Sequence, residues 1–439
     1  MAAVIKLPGQ RSGGVGAAKT GAGTGSKAEV ETAASAEAAS EAVEAPEAPE
    51  APDTTEAVEA VEAPEVPAAP TTPEISTPRK HLRAVAATLT VYLGLHTVAF
   101  LSLLWVLHLR AEPLTKFLHQ GWDSAFYLGI ARDGYHHSTD YAFFPLYPLL
   151  VRVVHVLPWL SYNYAGVLTS ILTGSAAAVG IRYVGEKVSS ARTGLVAVAL
   201  WAVVPTAIIQ VWPYADGLFV AFAAWALYAV LRRAWIAAGV LTFFGGLTRP
   251  SAFALILAVG LFALVSILRR EDGWRPWVCA AVAPLGMLGY IAFVGHHFGK
   301  PTAYFRMQHD AWDNWFDAGK TTVDILAALV DGRAENPNVM YLLAVLTMLA
   351  VPFLFVLACR QRLPWPVLVF CAALSTLVLC SHRQIFITPR ELMPAFPLLL
   401  PLAQVLSRAR NRGLIVAMVV IAAASGWYAW FIPLTYGAP

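Results

Sequence analysis

Past residue 78 the chain alternates long apolar runs with short polar links, many of which carry arginine. The runs measure about 15–25 residues, near the roughly 20 that a helix needs to cross a bilayer. Expected spans are 84–108, 163–183, 193–210, 214–231, 235–249, 251–268, 276–297, 338–358, 364–380, 391–406 and 414–433, eleven in all. The stretch 145–160 (PLYPLLVRVVHVLPWL) is left out. Pro145, Pro148, Pro158, Arg152 and His155 suit a re-entrant or surface helix better than lipid-facing hydrocarbon. Residues 1–78 break the pattern altogether, being rich in Ala, Glu, Pro, Gly and Thr, with EAPEAPEAP near the middle and no aromatic residue. Such a segment buries too little apolar surface to offset its ordering entropy and is expected to be a disordered acidic tail. It contains no apolar run, so the first span is expected to act as an uncleaved signal anchor. The pattern predicts an all-α polytopic membrane protein of about 11 transmembrane helices, with the tail at 1–78 and the membrane domain at 79–439.

Composition excludes a soluble globular protein: 57% of the residues are hydrophobic and 13% charged, and the mean hydropathy is +0.58. The formal net charge of +3 conceals two opposed segments. Residues 1–78 hold 4 Lys/Arg against 13 Asp/Glu, and residues 79–439 hold 27 against 15. With the tail placed inside, 16 Lys/Arg and 3 Asp/Glu fall on the cytoplasmic side, while 11 and 12 fall on the other. That bias is the positive-inside pattern and predicts a cytoplasmic N-terminus with external loops at 109–162 and 296–338. Nine of the 11 histidines and the WD, QHDAW and ITPRE stretches collect on the external face. A transporter would keep its polar residues near the midplane in two matching halves, and no internal repeat is apparent. Cys279, Cys359, Cys371 and Cys380 lie in or beside apolar runs with no CxxC, as packing residues do.

One stretch concentrates chemistry: GWDSAFYLGIARDGYHHSTDYAFFPLYP, residues 121–148. Trp122, Phe126 and Ile130 stand at helical spacing, with Asp123, Arg132 and Asp133 available to the other side, so a short amphipathic helix is expected to end at Gly134-Tyr135. Pro145 and Pro148 then favour a fixed, partly extended entry into the following apolar segment. An interfacial aromatic belt would account for the tryptophan and tyrosines but not for a carboxylate beside a tryptophan.

Trp122-Asp123 followed by AFFPLYP (142–148) resembles the signature of the PIG-V family, the GPI mannosyltransferase 2 type and its bacterial relatives. PYADGLF (213–219) is similar to that family's P-Y-[ST]-E-[SA]-L-F, with Asp216 where Glu is usual. Leu247-Thr248-Arg249-Pro250-Ser251 resembles its LTRP turn. Gly299-Lys300-Pro301 through Gln308 and Trp312 resembles G-D-P…Q…W, with Lys300 in place of the acid. Pro389-Arg390-Glu391-Leu392 through Phe396-Pro397 resembles PRYLL-x-FP, with Glu391 replacing Tyr.

The resemblance implies a GT-C glycosyltransferase, a multi-helix membrane enzyme. Such an enzyme moves mannose or a related hexose from a polyprenyl-phosphate carrier to an extracytoplasmic lipid or protein/glycan acceptor, with inversion at the anomeric carbon. Asp123 is the expected catalytic base, placed to meet an acceptor hydroxyl; a helix N-cap or an arginine partner is its structural alternative. Arg249 and Arg390 are the expected donor phosphate ligands, since an unpartnered arginine at such depth costs about 2.5–3.5 kcal/mol; snorkelling to headgroups is the alternative. Trp122, Tyr147, Tyr214, Asp216, Gln308 and Trp312 are candidate sugar or acceptor contacts, the aromatics serving equally as interfacial anchors.

No cofactor and no metal is expected. The pairs His136-His137 and His296-His297 diverge on a helix, no HExxH occurs, and a lipid-linked donor replaces the nucleotide diphosphate that commonly requires a metal. Nor is a nucleic-acid partner expected. A transporter or flippase of lipid-linked sugars is the competing reading, and a degenerate relative acting as an assembly partner is a third. The expected location is the plasma membrane, with the active site outside.

Overall fold

In the computed structural model the described residues are 78–112, 114, 122–333 and 338–435. The acidic tail, but for its last residue, lies outside them. Regular structure among the described residues is helical apart from one antiparallel ladder two residues long, β1 (Trp315–Phe316) with β2 (Ser381–His382), which pairs Trp315 with His382.

Helix α1 (Pro78–Leu109) matches the first expected span. Its threonines return their hydroxyls to the helix, Thr88 to Ala84 O (2.8 Å) and Thr97 to Leu93 O (2.8 Å), which satisfies them without water. A short helix, α2 (Trp122–Asp133), stops at Gly134 with φ +92°, as the sequence predicts. Within the excluded stretch 145–160 lies α3 (Leu146–Val154), only nine residues long.

Two helices form one of the most closely packed pairs in the molecule: α4 (Tyr162–Val188) and α6 (Asp216–Leu231). They pack side by side because Gly174 and Gly217 face each other; a Cβ on Gly217 would meet the Gly174 Cα at 3.4 Å. Between them in sequence comes α5 (Ala191–Ala202), whose N-cap Ser190 accepts from Thr193 N at 3.1 Å. Next come α7 (Trp235–Gly245), α8 (Ala252–Leu268), α9 (Arg275–Val282) and α10 (Leu285–His297). Two short helices follow, α11 (Ala303–Trp312) and α12 (Lys320–Val330). Then α13 (Val339–Arg360), capped by Asn338 on Tyr341 N (3.0 Å), leads to α14 (Trp365–Leu379). The chain finishes with α15 (Thr388–Leu392), α16 (Leu400–Leu406) and α17 (Asn411–Thr435). Helix α17 lies against α1 so closely that a Cβ on Gly426 would fall on the Ala99 carbonyl.

The protein is a multi-pass membrane protein; the count of 11 is not confirmed. Among the described residues five helical stretches are long and apolar enough to cross, Arg79–Leu109, Tyr162–Val188, Arg275–His297, Val339–Arg360 and Asn411–Trp430, and a bent pair makes up to six. Helices α5, α6, α7, α8 and α14 are apolar but have only 10–17 residues. The expected span 391–406 is not straight: Ile385–Leu392 and Phe396–Leu406 meet at 80°. Pro394 lies in the break and denies the first helix its continuation, while Pro397 and Pro401 sit in the first turns of the segments that follow, where proline suits a helix start. This bend places α15 beside the ends of α2, α6 and α7.

Candidate active site

Four segments far apart in sequence meet through a chain of buried ion pairs. Asp123 is the second residue of α2, and Asp216 is the first of α6. Arg249 stands in the turn from α7 to α8, and Arg390 and Glu391 lie in α15. Arg390 Nη2 reaches Asp123 Oδ2 at 2.5 Å and Asp216 Oδ2 at 3.3 Å. The other oxygen of Asp216 pairs with Arg249, whose second nitrogen reaches Glu391 Oε1 at 2.7 Å. The order is therefore Asp123, Arg390, Asp216, Arg249, Glu391, with carboxylates and guanidiniums alternating.

Exposure grades the chain from its middle outward. The Asp216 side chain is 1% exposed and those of the two arginines 6–7%, whereas Asp123 and Glu391 are 23% and 27% exposed. Buried charges survive when each is partnered and hydrogen-bonded, and breaking such a pair costs about 3–5 kcal/mol. Tyr214 completes the seating: its ring lies 4.4 Å from the Arg390 guanidinium carbon.

Both open ends of this chain face one cavity of about 390 Å³. Asp123 and Glu391 line it, as do Tyr127, Phe143, Trp312 and Trp315, with Gln308 and Asn314 supplying amides. Aromatic faces with a few polar groups suit a sugar ring, whose axial C–H bonds stack and whose hydroxyls need partners.

The AFFPLYP stretch builds the wall. The Phe143 carbonyl accepts from Tyr290 Oη (2.7 Å) and Tyr135 Oη (2.9 Å), and Gln308 Nε2 donates to Ala142 O at 3.4 Å. Leu146 N donates to Leu247 O at 3.1 Å, fastening this stretch to the turn that carries Arg249. Phe143 and Phe126 stack at 4.8 Å, and Trp312 meets both edge-on.

Of the residues singled out from sequence, Asp123, Arg249, Arg390, Gln308 and Trp312 line the cavity. Three others do not. Tyr147 is fully buried, with its hydroxyl on Ser170 Oγ (2.7 Å) and Gly166 O (3.0 Å), so it is a core residue rather than a sugar contact. Tyr214 is buried beneath Arg390, and Asp216 is enclosed between the arginines, so neither can touch a sugar. The Trp122 side chain lies outside the described residues. Arg249 and Arg390, expected to await a phosphate, already hold carboxylates. Lys300 is exposed and away from the cavity. Among the described residues no group of three His, Cys, Asp or Glu is placed to hold a metal.

Sequence reasoning missed Arg383, which lines the cavity while 7% exposed. It lies seven residues before Arg390 in the link between α14 and α15, a signal obscured because only the PREL motif carried a family resemblance. Glu391 was noted as a departure from the family pattern, without a role. Here it is the cavity-facing end of the ionic chain.

Residues 109–270 match the family model described as Mannosyltransferase (PIG-V). No curated protein matches the sequence. Among solved structures the chain is similar to ArnT from Cupriavidus metallidurans bound to undecaprenyl phosphate. That likeness has 15% identity and a TM-score of 0.49, and covers 80% of this chain and 64% of that one. The apo form of the same protein gives 16% identity and a TM-score of 0.48, covering 79% and 63%. The chain thus spans less than two thirds of the length of those structures. The matched stretch holds Asp123, AFFPLYP, Asp216 and Arg249, and across residues 109–270 this chain carries the sequence pattern of the PIG-V mannosyltransferase family.

Proposed function

We propose that the protein is a GT-C-type membrane glycosyltransferase. It transfers mannose or a related hexose from a polyprenyl-phosphate-linked donor to an extracytoplasmic acceptor, a lipid or a protein or glycan. One observation carries this reading: Asp123, within the stretch that matches the mannosyltransferase family, is fixed by Arg390 at the mouth of an aromatic cavity.

In the proposed reaction the acceptor hydroxyl gives its proton to the Asp123 carboxylate while its oxygen attacks the anomeric carbon. The bond from that carbon to the phosphate oxygen breaks on the opposite face, the polyprenyl phosphate leaves with the electron pair, and the configuration inverts. Arg390 acts as a positioning residue, holding one Asp123 oxygen so that the carboxylate has a set orientation. Asp216 and Arg249 hold Arg390 in turn.

The topology proposed with this function places the N-terminus and the links bearing Arg232, Arg233, Arg269 and Arg270 in the cytoplasm, and the cavity outside, at the plasma membrane. Asp216 and Arg232 lie at opposite ends of α6, in keeping with that division. The ionic chain sits at helix ends rather than midway along spans, which does not favour a transporter.

The test is sugar transfer in membranes supplied with labelled polyprenyl-phosphate mannose and native acceptors. Intact protein is expected to yield a labelled product, and Asp123→Asn to lower the rate by about 10²–10⁴-fold, the range for loss of a general base. Equal loss of activity and of folded protein would sink the catalytic assignment.

A further inference from the structure

The leaving phosphate needs a cation, and the two arginines expected to supply one are outnumbered. Asp123, Asp216 and Glu391 set three carboxylates against the guanidiniums of Arg249 and Arg390, so the ionised cluster carries a net charge of −1. A cluster of that sign repels a second anion rather than receiving it.

Among the described residues one more cation lines the cavity, Arg383. Its guanidinium is held from two sides by neutral groups: Nε donates to Thr388 Oγ1 at 3.2 Å and Nη1 to Ser381 O at 2.9 Å. The third nitrogen, Nη2, is buried and has no hydrogen-bond partner, and among the described residues no carboxylate lies within ion-pair distance of Arg383, although the charges of Glu391 and Asp317 reach it from farther off. Such a group is costly where water is scarce. A second cavity-lining donor shares this condition, since the Ser251 hydroxyl is also buried without a partner. Ser251 follows Arg249 by two residues, on the wall that ends in the ionic chain.

We infer that Arg383, rather than Arg249 or Arg390, holds the phosphate of the lipid-linked donor and of the polyprenyl phosphate that leaves. The division of labour follows from charge: two arginines orient carboxylates, and the third is kept for a phosphoryl oxygen. Its Nε and Nη1 bonds fix the plane of the fork, so that Nη2 is the donor left for an anion. This assignment rests on the glycosyltransferase reading and names the donor contact within it.

The experiment measures binding of undecaprenyl phosphate and of undecaprenol, its uncharged counterpart, to the full-length protein in lipid nanodiscs, followed by intrinsic tryptophan fluorescence. The wild type is expected to bind the phosphate more tightly than the alcohol. Arg383→Gln is expected to weaken phosphate binding roughly tenfold to a hundredfold, as loss of a charge-assisted hydrogen bond does, with the alcohol unchanged. Arg383→Lys, which keeps the charge, should restore part of the difference, and a thermal melt of each variant reports its folding. Inorganic phosphate in large excess should not displace the lipid; displacement would make free phosphate the ligand and overturn the assignment. A wild type that discriminates while Arg383→Gln discriminates equally well would overturn this inference alone. Equal weakening of phosphate and alcohol would mark a merely structural arginine and overturn it too. A wild type that does not distinguish the two lipids would overturn the glycosyltransferase reading together with the inference.

Discussion

Asp123 and Asp216 are the same side chain set on the same arginine, and they occupy opposite situations. Both place an oxygen on Arg390, at 2.5 and 3.3 Å, yet Asp216 is 1% exposed and bound by a second guanidinium, while Asp123 is 23% exposed and opens onto the cavity. An acid with two partners and no solvent has nothing left to offer a substrate. One with a single partner and an open side is oriented without being used up. Chemical type thus says little about role here, and the number of partners says much.

The hardest test of that difference is paired substitution. Asp216→Ala leaves two buried guanidiniums without their shared carboxylate and is expected to destabilise the protein by about 3–5 kcal/mol, seen as a collapse of the melting transition and of folded yield. Asp123→Asn is expected to leave the melting temperature nearly unchanged, because Arg390 keeps Asp216, while lowering transfer by about 10²–10⁴-fold. A large melting shift for Asp123→Asn and a small one for Asp216→Ala would invert the comparison.

Glu391→Gln extends the test to the other open end. Arg249 retains Asp216, so a cost of about 1 kcal/mol or less is expected in thermal melts, as for a partly exposed pair. Tyr147→Phe should cost about 1 kcal/mol through its lost hydroxyl bonds and leave activity per folded molecule intact, whereas a raised KM for either substrate would return that residue to the site.

The smallest effect concerns a carboxylate at the periphery. Partial desolvation works to raise the pKa of Asp317, but hydrogen bonds from Thr321 and Gly319 at the start of α12 outweigh it and hold the carboxyl below the usual range. A depressed folded pKa means that this contribution is present above the unfolded value and is lost as pH falls through the folded one. The protection of the α12 amides, taken relative to their intrinsic exchange rates at each pH, should therefore fall at acid pH, and Asp317→Asn should remove that dependence.

How much of this was legible beforehand divides along physical lines. The helix from Trp122 to Asp133 and its stop at Gly134 follow from local spacing and from glycine's access to positive φ, and both are present. The bend at 385–406 was missed because counting apolar residues hid Pro394. Asp123, Asp216, Arg249 and Arg390 were each singled out and given separate dealings with a ligand. An arginine partner was the structural alternative for Asp123, and Arg390 is that partner; which residues pair was out of reach, since Arg390 and Asp216 are 174 positions apart and only the folded chain brings them together. Tyr147 was misassigned for a related reason: a motif shows that a residue is required, not which way it faces.

The ionic chain also sets an order of events in the making of the protein. Synthesis begins at the N-terminus, so Asp123, Asp216 and Arg249 are in the membrane well before the segment carrying Arg390 and Glu391 has been translated. Until then Asp216 has one of its two guanidiniums and Asp123 lacks Arg390. The bent segment therefore acts as a latch, and a nascent protein holds no assembled site until residues 388–392 have joined the helices that precede them.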